Sequence, residues 1–253
     1  MTPRASVVAA AHRPPYGRAG GRSPPAHVVL ALLESFELSF RGQLVFLPRS
    51  AQRVLAFLAL HDRPLGRDHV AGILWLNASD QRAHASLRSA LWRLRRARIP
   101  LVESTSRRLR LASGVAVDLR EATTLAHRLL DHEAEPEGLE DCLPLCHDLL
   151  PDWYEDWISI EREHFRQLRL HALEALCEQL TAAGRFGPAI EVGMAAVSAE
   201  PLRESAHRRL IEAHLAEGNR GEAIRQYGLC RRLLRDRLGL GPSAQLEDLI
   251  REL

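Results

Sequence analysis

The second half of the chain carries a sequence repeat with a period of 34 residues. At this offset small and apolar residues recur in pairs: Leu176 with Leu210, Gly184 with Gly218, Ala189 with Ala223, and Ile190 with Ile224. A period of this length is typical of tetratricopeptide repeats, in which pairs of antiparallel helices stack on one another. The repeat therefore predicts a helical stack. Gly193 departs from the pattern because a large aromatic residue is usual there, whereas Tyr227 satisfies the same position of the next copy.

Apolar residues at helical spacing extend this prediction from Leu119 to Leu253, and no pattern typical of strands interrupts them. The predicted helices are Leu119 to Leu130, Leu139 to Leu149, Trp157 to Ala183, Pro188 to Ser198, Leu202 to Glu217, Gly221 to Leu238 and Ser243 to Leu253. We therefore assign residues 119–253 to one all-α domain of the tetratricopeptide-like type.

Residues 28–118 follow a different plan, in which short strands flank three helices. The predicted strands are Val28 to Leu33, Phe36 to Phe40, Leu44 to Leu47, Leu101 to Glu103 and Leu109 to Leu111, with Val115 to Val117 as a candidate third strand of the last hairpin. The predicted helices are Ser50 to about Leu60, Arg67 to Trp75 and Gln81 to Arg98. This order predicts an α+β winged helix-turn-helix, and with the second half it makes the fold class mainly α.

The third of these helices has one apolar face and one cationic face. Its apolar stripe consists of Ala83, Leu87, Ala90, Leu91 and Leu94. In a winged helix-turn-helix the third helix enters the major groove of DNA, and the hairpin contacts the neighbouring backbone. We therefore predict DNA contacts by the residues of the cationic face and its flanks and by two arginines of the hairpin. These residues are Arg82, Arg88, Ser89, Trp92, Arg93, Arg96, Arg107 and Arg108.

The distribution of charge indicates a polyanionic partner for the first half. Residues 1–118 contain 18 arginines and 7 acidic residues, whereas residues 119–253 contain 16 arginines and 25 acidic residues. The two parts carry formal charges of about +11 and −9, although the whole chain carries only +2. Such asymmetry is typical of a chain in which one part binds nucleic acid and the other part has a different partner.

Residues 1–27 are rich in Pro, Gly, Ala and Arg and show no periodicity, so we predict a disordered basic arm. No part of the sequence approaches the roughly 18 to 20 consecutive apolar residues that a membrane span needs. The short apolar run near the amino terminus is too brief for a signal peptide. We therefore expect a cytoplasmic protein that makes no membrane contact.

The pattern of reactive side chains argues against an enzyme. The 12 histidines are scattered and form no Ser, His and Asp grouping and no His-Glu-x-x-His helix. The acidic residues between positions 155 and 163 stand among arginines, which indicates ion pairs on a helix surface. Cys142 and Cys146 lie one helical turn apart, but His147 is their only close further ligand. We predict no catalytic residue, no metal and no cofactor.

Several segments of the chain resemble the SARP-type bacterial transcriptional activators. Residues 87–96, Leu-Arg-Ser-Ala-Leu-Trp-Arg-Leu-Arg-Arg, resemble their recognition helix. The second half resembles their bacterial transcriptional activator domain in residues 149–157, 161–163, 166–173, 200–207 and 213–220, in Tyr227, and in residues 238–243. The resemblance covers residues 28–253.

This resemblance implies an OmpR-type winged helix followed by a tetratricopeptide-like activator domain. It also implies a homodimer whose subunits lie side by side on direct repeats in promoter DNA, recruitment of RNA polymerase, and pathway-specific control of secondary metabolism. Larger relatives continue into a nucleotide-binding ATPase module, but this sequence has no lysine and hence no Gly-x-x-x-x-Gly-Lys loop. The alternative function is a protein-interaction scaffold of the tetratricopeptide type, whose winged helix would serve protein contacts.

Overall fold

The computed structural model describes residues 27–134 and 136–251, so the predicted basic arm, apart from His27, lies outside the described residues. The fold class predicted from the sequence is confirmed: a small α+β unit of winged-helix type precedes an all-helical part. The α-helices are α1 Arg49–Ala59, α2 Arg67–Leu74, α3 Asp80–Arg96, α4 Asp118–Leu130, α5 Asp156–Ala182, α6 Phe186–Ala199, α7 Glu204–Glu217, α8 Arg220–Leu238 and α9 Ala244–Arg251.

The strands of the first half are short and form two sheets. They are β1 Val28–Ala31, β2 Glu37–Phe40, β3 Gln43–Leu44, β4 Leu65–Gly66, β5 Val102–Ser104, β6 Arg108–Leu111 and β7 Val115–Val117. The first sheet has the strand order β3-β2-β1-β7, and the second has the order β4-β6-β5. The antiparallel hairpin of β5 and β6 is the wing. In the chain order α1 precedes β4, and α2 and α3 lie between β4 and β5.

Strand β7 belongs to the first sheet and does not extend the wing, so the expectation of a third hairpin strand was wrong. It pairs in parallel with β1, where Val28 lies opposite Val115 and Leu30 lies opposite Val117. All four side chains are buried, which means that the pairing is fixed by a shared apolar core. The pairing returns the chain to the amino-terminal sheet immediately before α4.

Helices α5 to α8 form the series of packed helices that the 34-residue repeat predicts, since each one packs against the next. Gly218 and Gly239 end α7 and α8 in the left-handed conformation, which glycine adopts without steric cost. In the part of the chain that the structure describes, no helix combines the length and the apolar character needed to cross a membrane.

The segment from Leu139 to Leu149 is not the α-helix expected from its apolar spacing. A 3₁₀ helix, Leu139–Cys146, is followed there by extended chain. Pro144 lies inside this helix and has no backbone N–H to donate, which disfavours a regular α-helix. The side chains of Cys142 and Leu145 are nevertheless buried, so the segment still covers the core that the apolar pattern indicated.

The two halves of the protein share one continuous apolar core. After the 3₁₀ helix, Leu149 forms an antiparallel bridge with Leu33, which follows β1. The N–H of Leu150 donates a hydrogen bond of 2.9 Å to the carbonyl of Leu32. The helical half therefore contributes a strand-like segment to the winged helix, and a boundary between independent domains at residue 118 stays a prediction.

Asp118 joins the end of β1 to the start of α4. Its carboxylate accepts hydrogen bonds from the backbone N–H groups of Leu32 at 2.9 Å, Leu33 at 3.1 Å and Leu119 at 2.7 Å. Burial raises the pKa of Asp118, while the three N–H donors oppose that shift. One side chain thus satisfies three backbone donors from two parts of the sequence that lie more than eighty residues apart.

Glu155 connects the helical half to α1. Its carboxylate accepts hydrogen bonds from Arg53 Nε at 2.7 Å and from Trp157 Nε1 at 2.5 Å. The Trp157 ring lies edge-on to Phe57, with 5.3 Å between the ring centroids. Arg53 also donates to the carbonyl of Leu74 at the end of α2. The helical half therefore contacts α1 directly, and it is linked to the end of α2 only through Arg53.

Gly193 lies where α6 approaches α5 and α7 closely, which explains its departure from the repeat pattern. A Cβ atom at this position would lie 3.2 Å from Cys177 Sγ and 3.2 Å from Leu210 Cδ1. We expect Gly193→Ala to lower the free energy of unfolding in urea by about 1 to 3 kcal/mol, because overpacking outweighs the gain in helix propensity.

Gly228→Ala is the matched control for this prediction, since Gly228 also lies inside a helix. A Cβ atom there meets only Arg232 Nη1 at 3.6 Å, an ordinary contact. This substitution should be neutral or should stabilise the protein by up to about 1 kcal/mol. Equal effects of the two substitutions would contradict the steric explanation.

Candidate nucleic-acid interface

Helix α3 turns its apolar stripe inward and its cationic face outward. The five stripe residues are at most 6% exposed, and the helix packs on α1 and α2. Apolar residues at intervals of three and four positions produce such a stripe. Because burial of the stripe fixes the rotation of α3 about its axis, the arginines on the opposite side must face solvent.

All eight residues predicted to contact DNA are exposed. The structure brings the six on α3, namely Arg82, Arg88, Ser89, Trp92, Arg93 and Arg96, together on the outward side and flank of one helix. The Arg96 guanidinium lies 4.9 Å from the Trp92 ring centroid, and the Trp92 side chain is 56% exposed. Arg93 Nη1 donates to Ser50 Oγ at 2.8 Å, which connects this surface to the start of α1.

A cavity of about 430 Å³ separates the first half of α3 from the wing. Its cationic lining comes from three elements, with Arg67 at the start of α2, Arg88 on α3 and Arg107 at the wing tip. Asp68 and His84 also line the cavity, and 3.4 Å separates His84 Nε2 from Asp68 Oδ1. Three guanidinium groups around one opening can hold a phosphate group by charge-assisted hydrogen bonds.

Arg67 is a residue of this site that the sequence analysis missed. Its Nε donates to the Thr105 carbonyl at 3.0 Å, and its Nη2 donates to Ser104 Oγ at 2.7 Å. Its backbone N–H donates to the Arg107 carbonyl at 3.0 Å. These bonds hold the wing tip against the start of α2. No local spacing indicates this role, because Arg67 and Thr105 are 38 positions apart.

The other two wing arginines, Arg108 and Arg110, differ in their contacts. Arg108 is exposed at the start of β6, but it does not line the cavity, so the structure does not bring it to α3 as it brings Arg107. Arg110 Nε donates to Glu103 Oε2 across the hairpin at 2.7 Å. That hydrogen bond lowers the pKa of Glu103 and raises the pKa of Arg110. Arg110 therefore stabilises the wing and is less available to an external anion.

The cysteines and the other side chains able to bind a metal lie in surroundings that suit a structural role. Within residues 27–134 and 136–251, no group of three or more His, Cys, Asp and Glu side chains could hold a metal ion. Burial raises the pKa of Cys142 to about 12 and the pKa values of Cys177 and Cys230 to about 11. These side chains are therefore protonated thiols near neutral pH, and a thiol is a poor nucleophile.

Comparison with known proteins identifies relatives of the chain. The sequence pattern of the bacterial transcriptional activator domain family matches residues 117–253. The regulatory protein AfsR of Streptomyces coelicolor is 27% identical over an aligned stretch of 219 residues, and the match covers 80% of this chain and 21% of AfsR. The chain thus spans about a fifth of the length of this curated relative.

Among solved structures, Mycobacterium tuberculosis EmbR in complex with a low-affinity phosphopeptide has a similar fold. The TM-score is 0.69 and the sequence identity is 22%, over 89% of this chain and 64% of that chain. At this identity the likeness concerns the fold alone. Because it covers so much of the chain, it extends over both the winged helix and the helical half.

Proposed function

Because this chain belongs to the bacterial transcriptional activator domain family, we propose that it is a transcriptional activator of the SARP type that binds double-stranded promoter DNA through α3 and the wing. The observation that carries the proposal is the outward cationic face of α3 beside the cavity lined by Arg67, Arg88 and Arg107. This geometry suits a helix in the major groove with backbone phosphates between the helix and the wing.

The proposed contacts fall into two groups by chemistry. On the outward face of α3, Arg82, Ser89, Arg93 and Arg96 are the side chains we assign to base edges, with Trp92 beside them. Arginine can donate two hydrogen bonds to one guanine, which makes it a specific reader of sequence. The arginines at positions 88, 107 and 108 are assigned to phosphates, because contacts to the backbone fix the register of the protein without reading sequence.

The helical half is the part that we propose to convert binding into activation. Its formal charge of about −9 makes it a poor partner for DNA, and stacked helical repeats offer extended surfaces to proteins. RNA polymerase is the proposed partner. We further propose that two subunits bind side by side on direct repeats about one or two helical turns apart, in promoters of secondary-metabolism genes.

The salt dependence of DNA affinity tests the proposed binding. The whole 253-residue chain is titrated onto a labelled duplex, selected by the protein from a random pool, at salt concentrations from about 50 to about 200 mM. We expect the logarithm of affinity to fall linearly with the logarithm of salt concentration, with a slope of about −0.9 for each phosphate neutralised. A slope near zero would favour the alternative function of an interaction scaffold.

Two arginine variants sharpen the same titration. Arg93→Ala should weaken binding to the selected duplex by about 1 to 3 kcal/mol without changing thermal unfolding, because the side chain is exposed. The matched control is Arg231→Ala, which removes an exposed arginine of α8 and should leave the affinity unchanged. If both variants bind like the unmodified protein, the binding face is not the one assigned.

A further inference from the structure

A second cavity lies between the carboxyl-terminal end of α3 and the first strand of the wing. Its volume of about 360 Å³ falls in the range of roughly 300 to 1,000 Å³ that is typical of small-molecule sites. Six of its lining residues are apolar: Leu91, Leu94, Ile99, Pro100, Leu101 and Val102. Arg98 has a left-handed backbone with a φ of 56°, and this turn folds residues 99–102 back along α3.

Two arginines provide all of the formal charge in the lining of this cavity. Arg95 and Arg98 are both exposed, and no described acidic residue lines the cavity with them. Arg95 lies in the last turn of α3 and Arg98 follows the helix, so two like charges border the same cavity. Ser104 of the wing completes the lining. An apolar floor with an uncompensated pair of guanidinium groups selects a ligand by charge as well as by shape.

We propose that this cavity binds a small organic anion, namely a carboxylate attached to a flat apolar body. The carboxylate oxygens would accept hydrogen bonds from the two guanidinium groups, which are matched donors for them. The apolar body would displace water from Pro100 and Val102, the accessible apolar residues of the lining, since the other four are at most 9% exposed. An inorganic anion leaves that floor uncovered, and a neutral apolar molecule leaves the two arginines without a counter-charge.

The cavity adjoins the surface that we assign to DNA. Arg95 precedes Arg96 on α3, and Ser104 accepts the hydrogen bond by which Arg67 holds the wing. A bound carboxylate would offset one of the two positive charges that Arg95 and Arg98 place beside the DNA, and it would press on both elements that contact the DNA. DNA affinity should therefore fall when the cavity is occupied. This consequence rests on the proposed function, whereas binding of the anion does not.

Calorimetric titration of the whole 253-residue chain without DNA tests the binding site. The probes are 2-naphthoate, the neutral 2-naphthamide, and acetate, which has the charge but no apolar body. We expect 2-naphthoate to bind at least about tenfold more tightly than either of the others. The double variant Arg95→Gln, Arg98→Gln should lose at least about tenfold in naphthoate affinity. The matched double variant Arg231→Gln, Arg232→Gln, on the exposed face of α8, should bind naphthoate like the unmodified protein.

Several outcomes would overturn the assignment of this site. Equal binding of naphthamide would show that charge plays no part, and equal binding of acetate would show that the apolar floor plays none. Equal losses in the two double variants would reduce the effect to general surface charge. If naphthoate does not bind at all, the proposed anion site is refuted. The proposal that the protein binds DNA would not be affected by that result.

The consequence for DNA is measured separately, with the selected duplex and saturating 2-naphthoate. We expect 2-naphthoate to lower the affinity of the unmodified protein for the duplex several-fold. It should not lower the affinity of the Arg95→Gln, Arg98→Gln variant. If naphthoate binds and DNA affinity is unchanged, the coupling between the two sites is refuted. If the protein fails to bind the duplex without naphthoate, the proposed function fails on its own.

Discussion

A chain that ends at Leu119 is expected not to unfold cooperatively, although it contains every element of the winged helix. The truncation removes Leu149, which bridges to Leu33, and Trp157, which packs on Phe57. It thereby exposes Leu32, Leu33 and Phe57, which are 0%, 5% and 2% exposed in the full chain. Burial of such a side chain is worth about 1.5 to 3 kcal/mol, and a whole domain is stable by only about 5 to 15 kcal/mol.

Thermal unfolding followed by circular dichroism measures this effect. The control is a chain that ends at Gly239, which loses α9 but keeps the whole junction between the two halves. Leu246 is the buried residue of α9, and it belongs to a separate small cluster with Ile211 and Leu234. The control should retain a cooperative transition. A transition of the Leu119 truncation within a few degrees of the full chain would show that the winged helix is stable without the helical half.

Asp118→Ala is expected to destabilise the protein by at least about 3 kcal/mol. The substitution leaves the backbone N–H groups of Leu32, Leu33 and Leu119 without their acceptor at a buried position. Each unsatisfied buried donor costs about 1 to 3 kcal/mol. The loss should appear in urea unfolding as a lower midpoint with an unchanged slope, because the native core is otherwise preserved.

Two further substitutions separate this effect from a general loss of charge. Asp118→Asn keeps one oxygen acceptor, so its cost should fall clearly below that of Asp118→Ala. Asp131→Ala removes an exposed acidic residue that follows α4 and should change stability by less than about 0.5 kcal/mol. If Asp118→Ala is no more costly than Asp131→Ala, the three hydrogen bonds do not stabilise the junction.

Point variants are better suited than truncations to a test of transcriptional activation. A deletion of the helical half would remove the contacts that stabilise the winged helix, so a loss of transcription would not identify an activating surface. Glu155 links the helical half to Arg53, which in turn donates to the end of α2. Point variants on exposed faces of α6 and α8 leave this link intact. They are therefore the suitable test of polymerase recruitment in run-off transcription.

The spacing of apolar residues along the chain predicted most of the helices and strands. Helix α3 was predicted within two residues of its observed ends, because alternation of Leu and Arg at helical intervals leaves only one face that can be buried. The 34-residue period likewise predicted the order of α5 to α8. The prediction of an α-helix from Leu139 to Leu149 failed because the apolar spacing suits either kind of helix, and Pro144 has no backbone N–H with which to continue an α-helix.

The sequence by itself determined the fold class, the family and the outward cationic face of α3, since each depends on residues that are close in the chain. Only the tertiary structure decided that β7 pairs with β1, that Arg67 holds the wing, and that Asp118 and Glu155 join the two halves. Those contacts link residues 37 to 102 positions apart. Side-chain periodicity records which face of an element is buried, but it does not record which distant element covers that face.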